Sequence, residues 1–327
     1  MANMANAAPP IMPAIPPRIT VVWKGGAGSV AAMGSSGRAS LVCSPPGNSL
    51  RLTTLPIRGS TRMEYRPPAP GCPAVAAMTE STDWDAYLDS FHRASPGITE
   101  DVLMRCLADG STPYSWLTDG LDSSATILDI ACGSGPTMPT GADRWIGIDR
   151  ADAELRRARS SGKLAVILGD ATKLPVPDAS VDVVSCSMAL MLVRPLDLSL
   201  AEISRVLRPG GRLLLLLPAR RPLTMVDRLS YVRLFWAARS TTKFPPTELR
   251  RSAERALYRH GLRVESDDTR RFAYRLDGVA AADRFVDSWY LPGVTAQRRA
   301  HGRARAARLA PIDIGVPFRR VVARKPR

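Results

Sequence analysis

The sequence is poor in cysteine and has no long apolar run. Five cysteines occur among 327 residues, and their spacing fits neither a disulfide framework nor a metal motif. We therefore expect reduced thiols and no bound metal. No apolar stretch reaches the roughly 18 residues that a membrane span needs, so no membrane association is expected. These absences favour a globular protein of the cytoplasm.

Lysine and acidic residues are also scarce. Lysine and arginine total 45, of which five are lysine, against 30 aspartates and glutamates, and the formal net charge is +15. Such a charge permits binding to nucleic acid, but a solvated basic surface explains it equally well. We prefer the second interpretation.

Residues 1–77 lack the apolar periodicity of a folded domain. They hold 12 of the 28 prolines and one acidic residue, Glu64. Because this composition buries too little apolar surface to offset chain entropy, we predict a disordered extension. Two alternatives stay open, an organelle-targeting segment or a true translation start at Met63 or Met78. In each case the predicted domain is 78–327.

Helical patterns precede the first strand of that domain. Aromatic residues repeat at helical spacing over 84–91, a second helix is predicted over 99–110, and a third short piece surrounds 114–117. We interpret 78–120 as a helical lid in front of a sheet, with simple core packing as the alternative.

Apolar runs then alternate with amphipathic helical segments. Strands are predicted at 126–130, 145–149, 164–168, 181–186, 212–217, 262–274 and 316–323. Helices are predicted at 152–159, 197–207 and 247–260. The alternation predicts an α/β fold, a doubly wound and mostly parallel sheet with helices on both faces.

A polar residue stands at the end of four successive strands. These residues are Asp129, Asp149, Asp170 and Ser187. Open α/β sheets bind ligands beyond the carboxyl ends of their strands, so four polar ends in a row predict a ligand site there.

The loop after the first strand argues against a dinucleotide. Gly133 and Gly135 are separated by one residue, but Met138 occupies the place of the third glycine of the dinucleotide fingerprint. Pro136 and Pro139 curtail the helix whose N-terminus would hold a pyrophosphate. The pattern favours a ligand with a ribose, a neutral heterocycle and a cationic or zwitterionic tail.

Four segments, in order and correctly spaced, resemble one family. The segments are 127–135, 146–149, 169–171 and 202–211. They are similar to class I S-adenosylmethionine-dependent methyltransferases, in the branch called methyltransferase type 11. The resemblance implies an enzyme with a Rossmann-like sheet of seven strands, the last one antiparallel. It also implies S-adenosylmethionine as donor and S-adenosylhomocysteine as product.

The resemblance further implies which residues hold the methionine portion of the donor. Asp129 would face the ammonium group, beside the loop residues Ala131, Cys132, Gly133 and Gly135. Ala131 stands where the family usually has a glycine, and we expect its methyl group to be tolerated.

The same resemblance implies contacts to the nucleoside. Asp149 would accept both ribose hydroxyls, and Arg150 would pack along the adenine. Asp170 would accept from the adenine amino group while the Ala171 amide reaches a ring nitrogen.

Ser187 and Met188 would line the space near the reactive methyl group. Methyl transfer from a sulfonium is an in-line displacement, in which alignment and desolvation supply much of the acceleration. His92 is a candidate base, but we prefer a packing or surface role for it. No catalytic residue is therefore assigned.

Segments 220–246 and 277–310 are predicted to bind the methyl acceptor. The acceptor is expected to be a small molecule that receives the methyl group on an O, N or C nucleophile. The aromatic side chains of the two segments are Tyr231, Phe235, Trp236, Phe285, Trp289 and Tyr290. One alternative is a nucleic-acid (RNA) methyltransferase, favoured by the basic segment 298–308. It is disfavoured because 185–188 lack the Asp/Asn-Pro-Pro-aromatic motif of base-amino methyltransferases. The other alternative is a cofactor-binding protein without catalysis.

Overall fold

The computed structural model describes residues 79–245 and 247–327, with side chains from Trp84 onward. The predicted extension, 1–77, and the alternative starts at Met63 and Met78 lie outside these residues. Among the described residues, no helix combines the length and the apolar character needed to cross a membrane.

One mixed sheet organises the described chain. Its strands are β1 (Cys106–Leu107), β2 (Ile127–Ile130), β3 (Trp145–Asp149), β4 (Val166–Leu168), β5 (Val181–Ser187), β6 (Leu207–Pro218), β7 (Arg263–Leu276) and β8 (Ile312–Arg324). They lie in the order β1-β7-β8-β6-β5-β2-β3-β4. The five strands from β6 to β4 are parallel, and β8 runs antiparallel to both β6 and β7. The predicted α/β class and antiparallel last strand are confirmed.

Ten helices belong to the described residues. They are α1 (Thr79–Ala94), α2 (Ile98–Leu103), α3 (Pro113–Leu117), α4 (Asp152–Ser160), α5 (Leu196–Val206), α6 (Met225–Ala238), α7 (Glu248–Arg251), α8 (Ala253–Tyr258), α9 (Val279–Asp287) and α10 (Ala296–Ala307).

Two predicted helices are wrong in extent. The helix predicted over 99–110 ends at Leu103, because Cys106 and Leu107 pair with β7 and add an eighth strand at the sheet edge. The helix predicted over 247–260 breaks at Ser252, whose side chain caps α8 by accepting from the Arg255 amide. In both places pairing or capping overrides the helical pattern.

The central strands are buried on both faces. Every residue of β2 is buried, and so is the whole run 213–217 of β6. This explains why the strands read as continuous apolar runs rather than alternating ones. It also leaves the carboxyl ends of β5, β2, β3 and β4 side by side at one edge, where the polar residues follow.

Candidate functional site

A cavity lies at the carboxyl ends of β2, β3, β4 and β5. It encloses about 1200 Å³ of space, part of it open to solvent. Ten of the eleven predicted cofactor residues line it, namely Asp129, Ala131, Cys132, Gly133, Asp149, Arg150, Asp170, Ala171, Ser187 and Met188. Gly135 is the exception, and it helps to turn the loop after β2.

The loop after β2 is built on left-handed backbone. Ala131, Gly133 and Gly135 have φ of 53°, 55° and 79°. The Gly135 amide donates to the Cys132 carbonyl at 2.8 Å, and the Cys132 amide donates to the Ile148 carbonyl at 3.0 Å. The second bond ties the loop to the end of β3, and the left-handed residues let the chain turn sharply beside the cavity.

Ala131 occupies a backbone conformation that suits glycine better. An L-residue with a Cβ is strained in the left-handed region, so Ala131→Gly is expected to raise the free energy of unfolding by about 1 kcal/mol. Urea titration measures the change. The matched control, Ala300→Gly on the exposed face of α10, should lower the free energy of unfolding by about 1 kcal/mol. A destabilised Ala131→Gly variant would contradict the argument.

Asp129 is almost fully buried at the end of β2, with 1% of its surface exposed. The hydroxyl of Thr137 donates to one carboxylate oxygen, and the Ser185 hydroxyl donates to the other at 2.9 Å. Burial raises the pKa of this carboxyl to about 7, although the two hydroxyls oppose the shift. A ligand cation at this end of the cavity would therefore favour its ionised form.

Asp149 is the last residue of β3, and each of its carboxylate oxygens accepts a hydrogen bond from a backbone amide. One accepts from the Gly133 amide at 2.7 Å and the other from the Ala151 amide at 2.8 Å. Burial raises the pKa of this carboxyl, and the two amides oppose the rise. Since each oxygen can accept a second bond, the carboxylate can receive a pair of neighbouring hydroxyls.

Asp170 and Arg150 stand at the more exposed end of the cavity. One Asp170 oxygen accepts from the amide and the hydroxyl of Thr172, at 2.7 and 2.8 Å. The Arg150 guanidinium contacts Asp85 at 3.4 Å and Asp89 at 3.0 Å, both on α1. The structure therefore uses Arg150 to join the end of β3 to the first helix.

Sequence reasoning missed a polar network that reaches the same cavity. His92 on α1 contacts the Glu154 carboxylate through Nδ1 at 3.0 Å and the Tyr290 hydroxyl through Nε2 at 3.3 Å. Glu154, 5% exposed, also accepts from the Gly97 amide at 3.0 Å. Because a carboxylate only accepts, the proton of neutral His92 belongs on Nδ1, which leaves Nε2 as the acceptor.

No local signal identified this network. Glu154 lies in the first turn of α4 and reads as a surface acid at a helix N-terminus. Tyr290 stands 198 residues from His92 along the chain. The packing role of His92 stays a prediction.

Two hydroxyls in the cavity wall fit a polar ligand. The Ser134 and Ser187 hydroxyls are buried and have no hydrogen-bond partner among the described residues. An unpaired buried hydroxyl is costly, so a ligand that bonds to it gains affinity. With the Asp149 carboxylate nearby, this lining fits a ligand that carries a ribose and an amino-acid tail. The described residues contain no group of three metal-ligating side chains.

Comparison with known proteins agrees with this geometry. A family model described as a methyltransferase domain matches residues 128–215. The demethylmenaquinone methyltransferase of Thermobifida fusca is 32% identical over 163 residues, which cover 44% of this chain and 69% of that protein. The malonyl-[acyl-carrier protein] O-methyltransferase of Xylella fastidiosa is 39% identical over 97 residues, 27% of this chain and 33% of that protein.

A solved structure, the YcgJ protein of Bacillus subtilis, is 19% identical. The match covers 66% of this chain and 98% of that one, with a TM-score of 0.46. The matched relatives and the cavity lining lead to one assignment. This chain belongs to the class I S-adenosylmethionine-dependent methyltransferases, and S-adenosylmethionine is its cofactor.

Proposed function

We propose that this enzyme transfers a methyl group from S-adenosylmethionine to a small-molecule acceptor. The observation that carries the proposal is the apolar and aromatic side of the donor cavity. Leu88, Tyr114, Leu192, Val193 and Tyr290 contribute to it and line the same cavity as the polar strand ends. The two relatives named above are named for demethylmenaquinone and for a malonyl group on a carrier protein. Both names support an acceptor with a small reactive head.

The proposal keeps the roles that the resemblance implies for all the cofactor residues except Arg150. Asp149 receives the ribose hydroxyls, Asp170 and Ala171 meet the adenine, and Asp129 faces the ammonium group. Arg150, already paired with α1, acts by closing that helix over the nucleoside rather than by lying along the adenine alone. The loop residues involved are Ala131, Cys132, Gly133 and Gly135, and the residues near the methyl group are Ser187 and Met188.

We further propose that residues 78–327 form one domain in which 78–120 acts as a lid. Leu88, Asp89 and His92, all on α1, line the cavity, which supports this role. Alignment and removal of water by such a lid would supply much of the rate enhancement.

The aromatic residues of the two proposed acceptor segments divide into different environments. Tyr231, Phe235, Phe285 and Trp289 pack on one another, with ring centroids 5.3 to 6.4 Å apart. Trp236 is 83% exposed. Tyr290 lines the cavity. We therefore assign acceptor contact to Tyr290 and structural packing to the first four.

Nucleic acid is a poorer acceptor on present geometry. The basic segment 298–308 falls mainly on α10, but Arg299 and Arg303 both pair with Asp287 of α9, at 3.9 and 3.2 Å. Side chains that are engaged within the protein are less available to phosphates.

Two measurements test the proposal. Isothermal titration should detect S-adenosylhomocysteine binding in the micromolar range, about −8 kcal/mol. A metabolite extract incubated with labelled methyl donor should then yield a labelled small molecule. Failure to bind the cofactor product would refute the site. Binding with label only in RNA would favour nucleic-acid methylation, and binding without any transfer would favour the non-catalytic alternative.

A further inference from the structure

A second cavity, which shares no lining residue with the donor cavity, lies beside the end of β6. It encloses about 820 Å³, part of it open to solvent, and Arg220, Arg221, Arg250, Arg319 and Thr269 line it. Leu217 pairs with Arg319, and Arg319 with Thr269, at the level where β6 ends while β7 and β8 continue. The cavity therefore occupies a step in the sheet.

Four guanidinium groups meet there with one acid close by. Arg319 pairs with Asp267. Among the described residues, no carboxylate lies within 4.0 Å of Arg220, Arg221 or Arg250. The cavity thus holds an excess of positive charge.

Arg250 is held against an aromatic ring. Its guanidinium lies over the Phe244 ring, 4.9 Å from the ring centroid, which holds it in place. Burial and the like charge of Arg220 lower its pKa. A cation beside a second cation in a partly buried position is stabilised when an anion joins the pair.

Four other arginines of β7 and β8 have acidic partners. Arg270, Arg271, Arg275 and Arg324 on β7 and β8 each face a carboxylate, on Asp109, Asp227, Asp313 and Glu265 respectively. Each of these arginines has one acid, whereas in the described part of the chain the four arginines of the cavity have one acid, Asp267, among them. These four strand arginines are thus matched one to one by acids, whereas the arginines of the cavity are not.

We propose that this cavity is a binding subsite for a phosphate-bearing ligand. Guanidinium groups bind phosphate through parallel N–H bonds, and several of them around one cavity suit an anion with more than one charge. Thr269 adds a hydroxyl that can donate to the same group.

The phosphate has two possible sources, a free anion or a group attached to the methyl acceptor. Parallel β5 and β6 are neighbours, so the step and the donor cavity open on the same edge of the sheet. Assignment to the acceptor rests on the proposed function, whereas anion binding itself does not. If the parent protein binds S-adenosylhomocysteine but does not bind the anion, this proposal is overturned and the proposed function is left standing.

Isothermal titration with inorganic pyrophosphate tests the subsite on the full chain. We expect saturable binding that weakens at least about tenfold in the double variant Arg220→Ala, Arg250→Ala, since each lost guanidinium removes a charge-assisted bond. The matched control is Arg298→Ala with Arg308→Ala, two exposed arginines of the α10 region with no carboxylate within 4.0 Å among the described residues. The control should change pyrophosphate affinity less than about twofold, because only the overall charge falls.

Absence of saturable binding, or an equal loss in both double variants, would overturn the proposal in favour of general surface charge. Octyl phosphate, titrated with S-adenosylhomocysteine bound, distinguishes the two sources. Tighter binding than pyrophosphate would support an acceptor-borne phosphate, and weaker or equal binding would support a free anion. S-Adenosylhomocysteine should bind both double variants as tightly as the parent protein.

Discussion

Replacing Asp149 with alanine is expected to weaken S-adenosylhomocysteine binding by about a hundredfold. The carboxylate is proposed to accept both ribose hydroxyls, and two bonds to a charged acceptor contribute about 3 kcal/mol or more together. The same change frees the Gly133 and Ala151 amides, which now donate to Asp149. Both effects reduce cofactor affinity, and isothermal titration measures their sum.

The control for this prediction is Asp152→Ala. Asp152 lies three residues further on and is exposed, and among the described residues its one ion pair is with Arg156, four positions along the same helix. Asp152→Ala removes the same charge and should leave the affinity for S-adenosylhomocysteine within about twofold of that of the parent protein, since exposed ion pairs contribute little. Asp149→Asn, which keeps one acceptor oxygen, should lie between the two variants, and circular dichroism checks that each is folded. Unchanged affinity in a folded Asp149→Ala protein would refute the ribose role.

Because of Asp129, the free energy of unfolding should fall as pH rises from about 4 to 7. In the unfolded chain this carboxyl ionises near its ordinary pKa of 3.8, whereas in the folded protein its pKa is about 7. Below pH 4 both states are protonated and the stabilisation is fully present. It is then lost as pH rises through 7, by about 4 kcal/mol in all. Urea unfolding at pH 5, 6, 7 and 8 follows this loss.

Asp129→Asn should flatten this pH dependence and raise stability at pH 8 by a few kcal/mol, because the amide carries no charge to bury. Some slope should remain, since burial also raises the pKa of Asp149. The control, Asp119→Asn, changes an exposed residue outside the cavity and should leave the slope as it is. An unchanged slope in Asp129→Asn would show that another group is responsible.

The same titration couples to the cofactor. The ammonium group of S-adenosylmethionine favours the ionised carboxylate, so binding below pH 7 should release a proton and affinity should rise with pH up to about 7. Titration in buffers of different ionisation enthalpy measures the proton. Asp129→Asn should bind more weakly at pH 8 despite its greater stability. Weaker cofactor binding by a more stable variant would indicate that Asp129 contacts the ligand, because loss of a packing role alone would not combine these two effects.

The sequence alone is enough to predict the parallel strands and the sheet edge at which the candidate cofactor residues lie. Buried parallel strands need apolar side chains on both faces, so each appeared as a continuous run, and the turn after each run carried a polar residue. Parallel strands bring those turns together without further information. For this reason ten residues named from motifs line one cavity.

The tertiary structure alone decided contacts that depend on distant partners. The pairing of β1 with β7 joins residues far apart in sequence and overrides a local helical pattern. The His92, Glu154 and Tyr290 network joins three separate segments. The arginine cavity arises because β6 stops where β7 and β8 continue, so that residues from a loop, a short helix and three strands converge. Local sequence encodes backbone preference and burial, whereas the juxtaposition of charges depends on the register and ends of strands that meet only in the folded sheet.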